Sequence, residues 1–159
     1  MKETPLAVAI SALIKDDKIL LIKRIRGDYI GLLGLPGGKV EKDEHLSEAA
    51  IREIFEESGI KSKFKNYLGF VSELLIEDKN ILKHLLLHIC ELEPKTTEIL
   101  NDLEGELNWF DLNDIKNFKN QIIPSDFLMI ENIVRNKKKM YYDCVLEKIG
   151  GKYFLKKFE

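Results

Sequence analysis

Three glutamates and an arginine lie close together in a segment, residues 45–58, whose pattern predicts a helix. At about 100° per residue, Arg52, Glu53, Glu56 and Glu57 share one side of that helix, with the acids three and four residues apart. Like charges one turn apart repel, and the helix dipole disfavours acids near its C-terminal end. Carboxylate oxygens suit Mg²⁺ or Mn²⁺. The spacing therefore favours a metal site; the alternative is a solvated face with a salt bridge between Arg52 and Glu56.

The other side of the same helix is apolar. Ala50, Ile51, Ile54 and Phe55 fall together on the helical wheel, so we expect them to pack on a sheet while the acids face a cleft. Gly59 follows directly and is typical of a helix C-terminus.

Apolar runs and turn residues predict the elements that must position this helix. Glycines and a proline make residues 29–38 a loop before the helix. Pro124 predicts the start of a second helix that continues to about Arg135. The expected strands cover residues 6–14, 19–25, 63–76, 81–92, 107–110, 140–146 and 153–158, the last two forming a hairpin around Gly150 and Gly151. This order predicts a mixed sheet packed against helices.

The spacing of the acidic segment carries a family resemblance. Residues 38–60 match every fixed position of the Nudix box, so the chain resembles the MutT-like Nudix hydrolases. The preceding residues 35–37, the early hairpin and residues 109–112 resemble the same family. The resemblance implies an α/β fold, the Nudix α/β/α sandwich with a mixed central sheet. We expect one domain over residues 1–159, with a C-terminal extension from about residue 137 that forms the hairpin. The matching residues read Gly38-x5-Glu44-x7-Arg52-Glu53-Ile54-x-Glu56-Glu57-x-Gly59-Ile60.

The resemblance also implies a chemistry, the hydrolysis of a nucleoside diphosphate linked to another group. Mg²⁺ is the expected cofactor, with Mn²⁺ as a substitute. By position, Glu53, Glu56 and Glu57 would hold metal, with the Gly37 carbonyl as a further candidate ligand. Glu53 and Glu56, with Arg52 orienting one of them, form the expected catalytic set.

Other positions of the resemblance imply supporting roles. Glu44 would brace the loop against the helix, and Gly38 and Gly59 complete the structural positions of the box. Glu53 is the expected general base. Some members of the family take the base from a later loop, which leaves Glu104 and Glu106 as alternatives.

Basic residues that border the glycine loop are candidates for binding phosphate. Lys23, Arg24, Arg26 and Lys39 lie there, although ordinary surface charge would explain any one of them. We favour Arg24, because a guanidinium can hold a phosphate through two hydrogen bonds.

The region after Ile123 is similar in layout to the oxidised-purine nucleoside triphosphatases of the family. There an acid after the proline helps to read the base, which maps to Asp126. The alternative is that Asp126 caps the second helix. Ser125 and Gly34 depart from that group, because an acid and an asparagine can stand at these positions.

These signals favour a pyrophosphohydrolase of nucleoside triphosphates, with 8-oxo-dGTP as a candidate substrate. An ADP-ribose or nucleotide-sugar pyrophosphatase is the alternative. A domain that senses a nucleotide without cleaving it is a third reading, but such domains usually lose box acids and none is lost here.

Composition limits the remaining classes of protein. A net charge of -2 over 159 residues argues against a nucleic acid polymer as partner. No apolar run is long enough to span a membrane. Cys90 and Cys144 have no metal-type spacing and are expected to be reduced thiols in a cytoplasmic protein, monomeric or homodimeric. His84 and His88 lie in a predicted strand and are interpreted as ordinary strand residues.

Overall fold

The computed structural model describes residues 3–100 and 105–159. The helices are α1 (Leu46–Ser58) and α2 (Pro124–Met129), with a 3₁₀ helix at Leu112–Gln121 and a π-helical segment at Ile130–Arg135. The strands are β1 (Leu6–Lys15), β2 (Lys18–Arg24), β3 (Leu33–Gly34), β4 (Gly37–Lys39), β5 (Ser62–Glu77), β6 (Asn80–Pro94), β7 (Gly105–Asp111), β8 (Tyr141–Ile149) and β9 (Lys152–Phe158).

The strands form a mixed, curled sheet in the order β3-β2-β1-β6-β5-β8-β9. β4 pairs with β1, and β7 pairs with β2. The β1–β6 and β5–β8 pairs are parallel, whereas the other pairs are antiparallel. The expected mixed sheet and the C-terminal hairpin β8–β9 are therefore confirmed.

Three of the hairpins turn through two residues with positive φ, the geometry that matches the twist of paired strands. These turn residues are Asp16 and Asp17, Asp78 and Lys79, and Gly150 and Gly151. The sequence predicted all three of these connections.

The sheet separates two apolar layers. One contains Ala49, Ala50 and Ile54 of α1 packed on β1, β2 and β6. The other contains Met129 of α2 and Ile130 of the π-helical segment, packed on the opposite side of the sheet. Helix, sheet and helix thus form the expected α/β/α sandwich.

Several local expectations were wrong. The loop at residues 29–38 contains β3 and β4, because it pairs with β2 and β1. The second helix continues to Arg135 as expected, although its geometry changes from α to π at Ile130. Phe55 is 49% exposed and does not join the apolar face of α1. The helix α1 itself is as predicted: it ends at Gly59, whose φ of 75° is left-handed and whose N–H donates to the Phe55 carbonyl.

None of the described helices combines the length and the apolar character needed to cross a bilayer.

Candidate active site

Two consecutive glycines bring the loop against α1. Gly37 and Gly38 lie on β4 opposite Ile10 and Ala9 of β1. A Cβ atom on Gly38 would clash with the Glu53 carboxylate, and one on Gly37 would clash with the Ala9 carbonyl oxygen. Glycine at both positions therefore lets β4 lie on β1 while the Glu53 carboxylate rests on the backbone of the loop.

Arg52 lies among four acids, and we call the five residues the box cluster: Glu44, Arg52, Glu53, Glu56 and Glu57. Its guanidinium binds Glu44 in two places, with Nε–Oε2 at 2.9 Å and Nη2–Oε1 at 2.6 Å. Its Nη1 donates to Glu53 Oε1 at 2.8 Å and to Glu56 Oε2 at 3.2 Å. Its Nη2 also donates to the Lys39 carbonyl at 3.1 Å. One cation thus joins the end of β4, the loop before α1 and the acidic face of α1.

These contacts change the acidity of the groups involved. The hydrogen bonds from Arg52 are the main reason that the pKa of Glu44 falls to about 2, and the Glu41 N–H adds to the effect. The bond to Glu44 raises the pKa of Arg52 above its usual range. Burial raises the pKa of Glu53, while Arg52 opposes that shift. Glu44 is therefore an ionised brace at neutral pH, whereas burial and Arg52 act on the Glu53 carboxyl in opposite directions.

A cleft of about 500 Å³ lies beside the box cluster. Both acids and arginines line it, which suits a ligand that carries phosphates together with a cation. The lining residues are Ile22, Arg24, Arg26, Gly27, Leu35, Gly37, Glu53, Glu56 and Glu57.

The donor set of this cleft fits a divalent cation. Glu53, Glu56 and Glu57 supply carboxylate oxygens, the ligands that Mg²⁺ prefers, and Gly37 lies beside them. In residues 3–100 and 105–159, no three acidic, histidine or cysteine side chains already converge at metal-binding distances. Arg52 binds one oxygen of Glu53 and one of Glu56, so a cation would be met by the other oxygen of each carboxylate.

The structure separates the two favoured basic candidates. Arg24 lines the cleft, and its Nε donates to the Asp28 carbonyl at 2.8 Å. Lys39 is exposed at the end of β4, outside the residues that line the cleft, and contributes its carbonyl to Arg52.

Asp126 lies beneath the glycine loop with 8% of its surface exposed. Its Oδ2 accepts a hydrogen bond from the Leu35 N–H at 2.8 Å, so it joins α2 to the loop. It is not the N-cap of α2, which is Ile123, so the capping interpretation is wrong. Gly34 makes this approach possible, because a Cβ atom there would lie 2.8 Å from Asp126 Oδ2.

Glu73 is a buried acid that the sequence reasoning missed. It is 3% exposed, and together with Asp126 it forms what we call the buried acid pair. Burial is the main cause of the raised pKa of both, and the charge of Glu73 helps to raise the pKa of Asp126 to about 7. The strand period of two was the available signal, since Val71 and Leu75 share its face and are buried.

Glu106, one of the two alternative bases, is not among the residues that line the cleft. Glu106 is exposed, accepts a hydrogen bond from Asn108 and lies opposite Lys23 in the β2–β7 pair. Side chains alternate along a strand, so it faces away from Leu107, which packs on the α1 side of the sheet. Glu104 lies outside the described residues.

The other singled-out residues have structural partners. His84 and His88 contact the hydroxyls of Ser72 and Tyr67 at 3.0 Å on the long hairpin, as expected of strand histidines. Cys90 and Cys144 are both buried, and neither forms a disulfide.

Comparison with known proteins places these features in a family. The family model described as NUDIX domain matches residues 5–129. ADP-ribose pyrophosphatase from Methanocaldococcus jannaschii is 37% identical over 130 residues, which are 79% of this chain and 75% of that protein. The MutT NUDIX hydrolase structure from Burkholderia pseudomallei is 31% identical with a TM-score of 0.68, covering 81% of this chain and 98% of its own.

A more distant structure shares the fold alone. It is a bifunctional NMN adenylyltransferase/ADP ribose pyrophosphatase from Francisella tularensis, complexed with AMP and a Mn ion. It is 22% identical with a TM-score of 0.66, covering 86% of this chain and 43% of that one.

Proposed function

The chain belongs to the Nudix family and is a hydrolase of phosphoanhydride bonds, and from this premise we propose that it cleaves a nucleoside diphosphate linked to a sugar, with Mg²⁺ as cofactor. The observation that carries the proposal is the cleft that Glu53, Glu56 and Glu57 line together with Arg24 and Arg26.

Glu53, Glu56 and Glu57 would hold the metal, with the Gly37 carbonyl beside them. Bound Mg²⁺, or Mn²⁺ in its place, supplies charge neutralisation at the phosphates and activation of water. Glu53 takes the proton of the attacking water, since its carboxylate lines the cleft beside Glu56 and Glu57. Arg52 fixes the orientation of Glu53 through the 2.8 Å hydrogen bond, and Glu44 fixes Arg52 in turn.

Arg24, which lines the same cleft, binds a phosphate. Its guanidinium can donate two parallel hydrogen bonds to phosphate oxygens. The bond from its Nε to the Asp28 carbonyl fixes the side chain for this role. Lys39 is a second candidate for phosphate contact at the exposed end of β4.

Two substrate classes compete. The likeness to the M. jannaschii ADP-ribose pyrophosphatase favours ADP-ribose, which hydrolysis would convert to AMP and ribose 5-phosphate. The likeness to a MutT hydrolase favours nucleoside triphosphates, including 8-oxo-dGTP, with release of pyrophosphate. The burial of Asp126 and its bond to Leu35 weigh against its reading an oxidised purine, so we place ADP-ribose first.

The test is a substrate panel with purified protein and Mg²⁺: ADP-ribose, a UDP-sugar, ATP, dGTP and 8-oxo-dGTP. We expect ADP-ribose to have the highest kcat/KM. Its hydrolysis is measured by chromatographic detection of the AMP released. A preference for 8-oxo-dGTP would overturn the sugar assignment, and tight binding without turnover would support the sensing alternative.

A matched pair of variants tests the chemistry. Glu53→Gln should lower kcat by about 10²–10⁴-fold, the usual contribution of general base catalysis. Glu48→Gln is the control, because it makes the same chemical change in the first turn of α1 and glutamine can still accept the bond from the His45 N–H. Equal activity of the two variants would refute the role of Glu53.

A further inference from the structure

The hairpin β8–β9 lies beyond residue 129, where the family match ends, yet it contacts Tyr29, which is close in sequence to the arginines of the cleft. The Tyr29 N–H donates to the Tyr153 hydroxyl at 3.1 Å, across 124 positions of sequence. The two rings also pack with centroids 4.4 Å apart and an angle of 49°. Tyr153 of β9 therefore holds both the backbone and the side chain of Tyr29.

Tyr29 belongs to residues 24–31, which we call the arginine loop. Its φ is 65°, a left-handed conformation that is unfavourable for a large side chain. Such a conformation persists where the surroundings impose it. Here the ring is buried, with 8% exposed, and its carbonyl accepts from the Leu32 N–H at 3.0 Å.

Asp28 provides a second attachment of the same loop. Its carboxylate pairs with Lys83 of β6 at 2.7 Å and with Lys148 of β8 at 3.9 Å. Its carbonyl accepts the hydrogen bond from Arg24 Nε. A continuous path of contacts thus runs from the hairpin through residues 28 and 29 to the guanidinium that lines the cleft.

We propose that the C-terminal hairpin is a functional part of the substrate site, in which Tyr153 is a positioning residue that sets Arg24 by fixing the arginine loop. The inference rests on the proposed function, in which Arg24 binds a substrate phosphate. It assigns a role in affinity to a segment outside the matched family region.

Kinetics of single and double variants test this role. Tyr153→Phe keeps the ring and removes the hydroxyl, and it should raise KM about 3- to 10-fold with little change in kcat, the effect of losing one hydrogen bond. Tyr153→Ala should raise KM further. Phe154→Ala is the control, because this neighbouring aromatic residue on β9 is 45% exposed and outside the path.

The decisive measurement is a double-mutant cycle with Arg24→Ala. If Tyr153 acts through Arg24, Tyr153→Ala lowers kcat/KM in the wild-type background and has no further effect in the Arg24→Ala background. An equal loss in both backgrounds would mean a merely structural role and would overturn the proposal.

Hydrogen exchange separates this inference from the proposed function. The backbone amides of residues 24–32 should exchange faster in Tyr153→Phe than in the wild type and in Phe154→Ala. Unchanged exchange overturns the inference whatever the activity. Faster exchange in a protein that hydrolyses no member of the panel would support the link to the hairpin and refute the proposed function.

Discussion

The box cluster and the buried acid pair are two sets of carboxylates in opposite environments, and each has one acid that lies against residues 34–38. In the first, Arg52 binds Glu44, Glu53 and Glu56 at the edge of an open cleft. In the second, Glu73 and Asp126 lie in the core beside hydroxyl and thiol groups, and Asp126 accepts from a backbone N–H. The pKa of Glu44 falls to about 2, whereas that of Asp126 rises to about 7.

The difference shows that the groups around a carboxyl decide its role more than whether the residue is Asp or Glu. Hydrogen bonds from a guanidinium keep a carboxylate charged, while burial favours its protonated form. The charged set can meet a cation in the cleft, and the buried pair holds the loop from beneath. Each set also has its own glycine, Gly38 beside Glu53 and Gly34 beside Asp126.

Removal of the central cation should have the largest effect. Arg52→Met leaves the acids of the box cluster without their shared partner, so we expect kcat/KM to fall by about 10²–10³-fold and the free energy of unfolding by about 2 kcal/mol. Arg135→Met is the control, since its side chain is similarly exposed (26% against 24%) and pairs with Glu131 away from the cleft. Steady-state kinetics and urea unfolding measure both effects. Full activity of Arg52→Met would contradict the catalytic role that distinguishes the box cluster from the buried acid pair.

Substitution of Gly38 should mainly lower activity, whereas substitution of Gly34 should mainly lower the free energy of unfolding. In Gly38→Ala the new methyl group displaces the Glu53 carboxylate, so kcat/KM should fall by about 10–100-fold. In Gly34→Ala it presses on Asp126, so the free energy of unfolding should fall by about 1–2 kcal/mol with activity nearly retained. Kinetics and thermal unfolding of both variants would show this crossed pattern, and the reverse pattern would contradict it.

Neutralising Asp126 should alter the pH dependence of stability. Its pKa is about 7 in the folded protein against 3.8 ordinarily, so the folded state holds the proton more tightly. The wild type should therefore lose stability as the pH rises from about 4 to about 7. Asp126→Asn keeps an acceptor for Leu35 and should reduce that slope, with a gain of about 1 kcal/mol at pH 8. Urea unfolding from pH 4 to 8 tests this, with exposed Asp114→Asn as the control. Parallel curves for all three proteins would disprove it.

The smallest effect is expected on the stability of the Glu44→Gln variant at low pH. Glu44 has its pKa lowered to about 2, so its pairing with Arg52 stabilises the fold above about pH 4.5 and is lost as the pH falls through 2. Thermal unfolding of Glu44→Gln should differ slightly from the wild type at pH 7 and converge with it towards pH 2. A difference that persists at pH 2 would assign the effect to packing.

The sequence predicted those features that depend on local spacing. Gly59 ends α1 because it can adopt a left-handed conformation, and the turn residues place the first and last hairpins. The acids of α1 share a face because the helical period requires it. The mixed sheet followed from the order of the elements.

Features that depend on contacts distant in sequence were not predictable in this way. Asp126 meets Leu35 across 91 positions, and Tyr153 meets Tyr29 across 124, so no local pattern reveals either pair. Phe55 lies at the edge of the helical wheel's apolar side, and tertiary packing decides that it remains exposed. β3 and β4 are too short to have a period of their own and exist because neighbouring strands pair with them.

The parallel pairing of β8 with β5 has a consequence for how such a protein can diversify. β5 also carries Glu73, so the hairpin is attached to the strand that holds one member of the buried acid pair. Mutations in residues 141–158 can therefore shift substrate affinity while the residues that perform the hydrolysis stay as they are. Substitutions in this segment can change which substrate is preferred without changing the reaction itself.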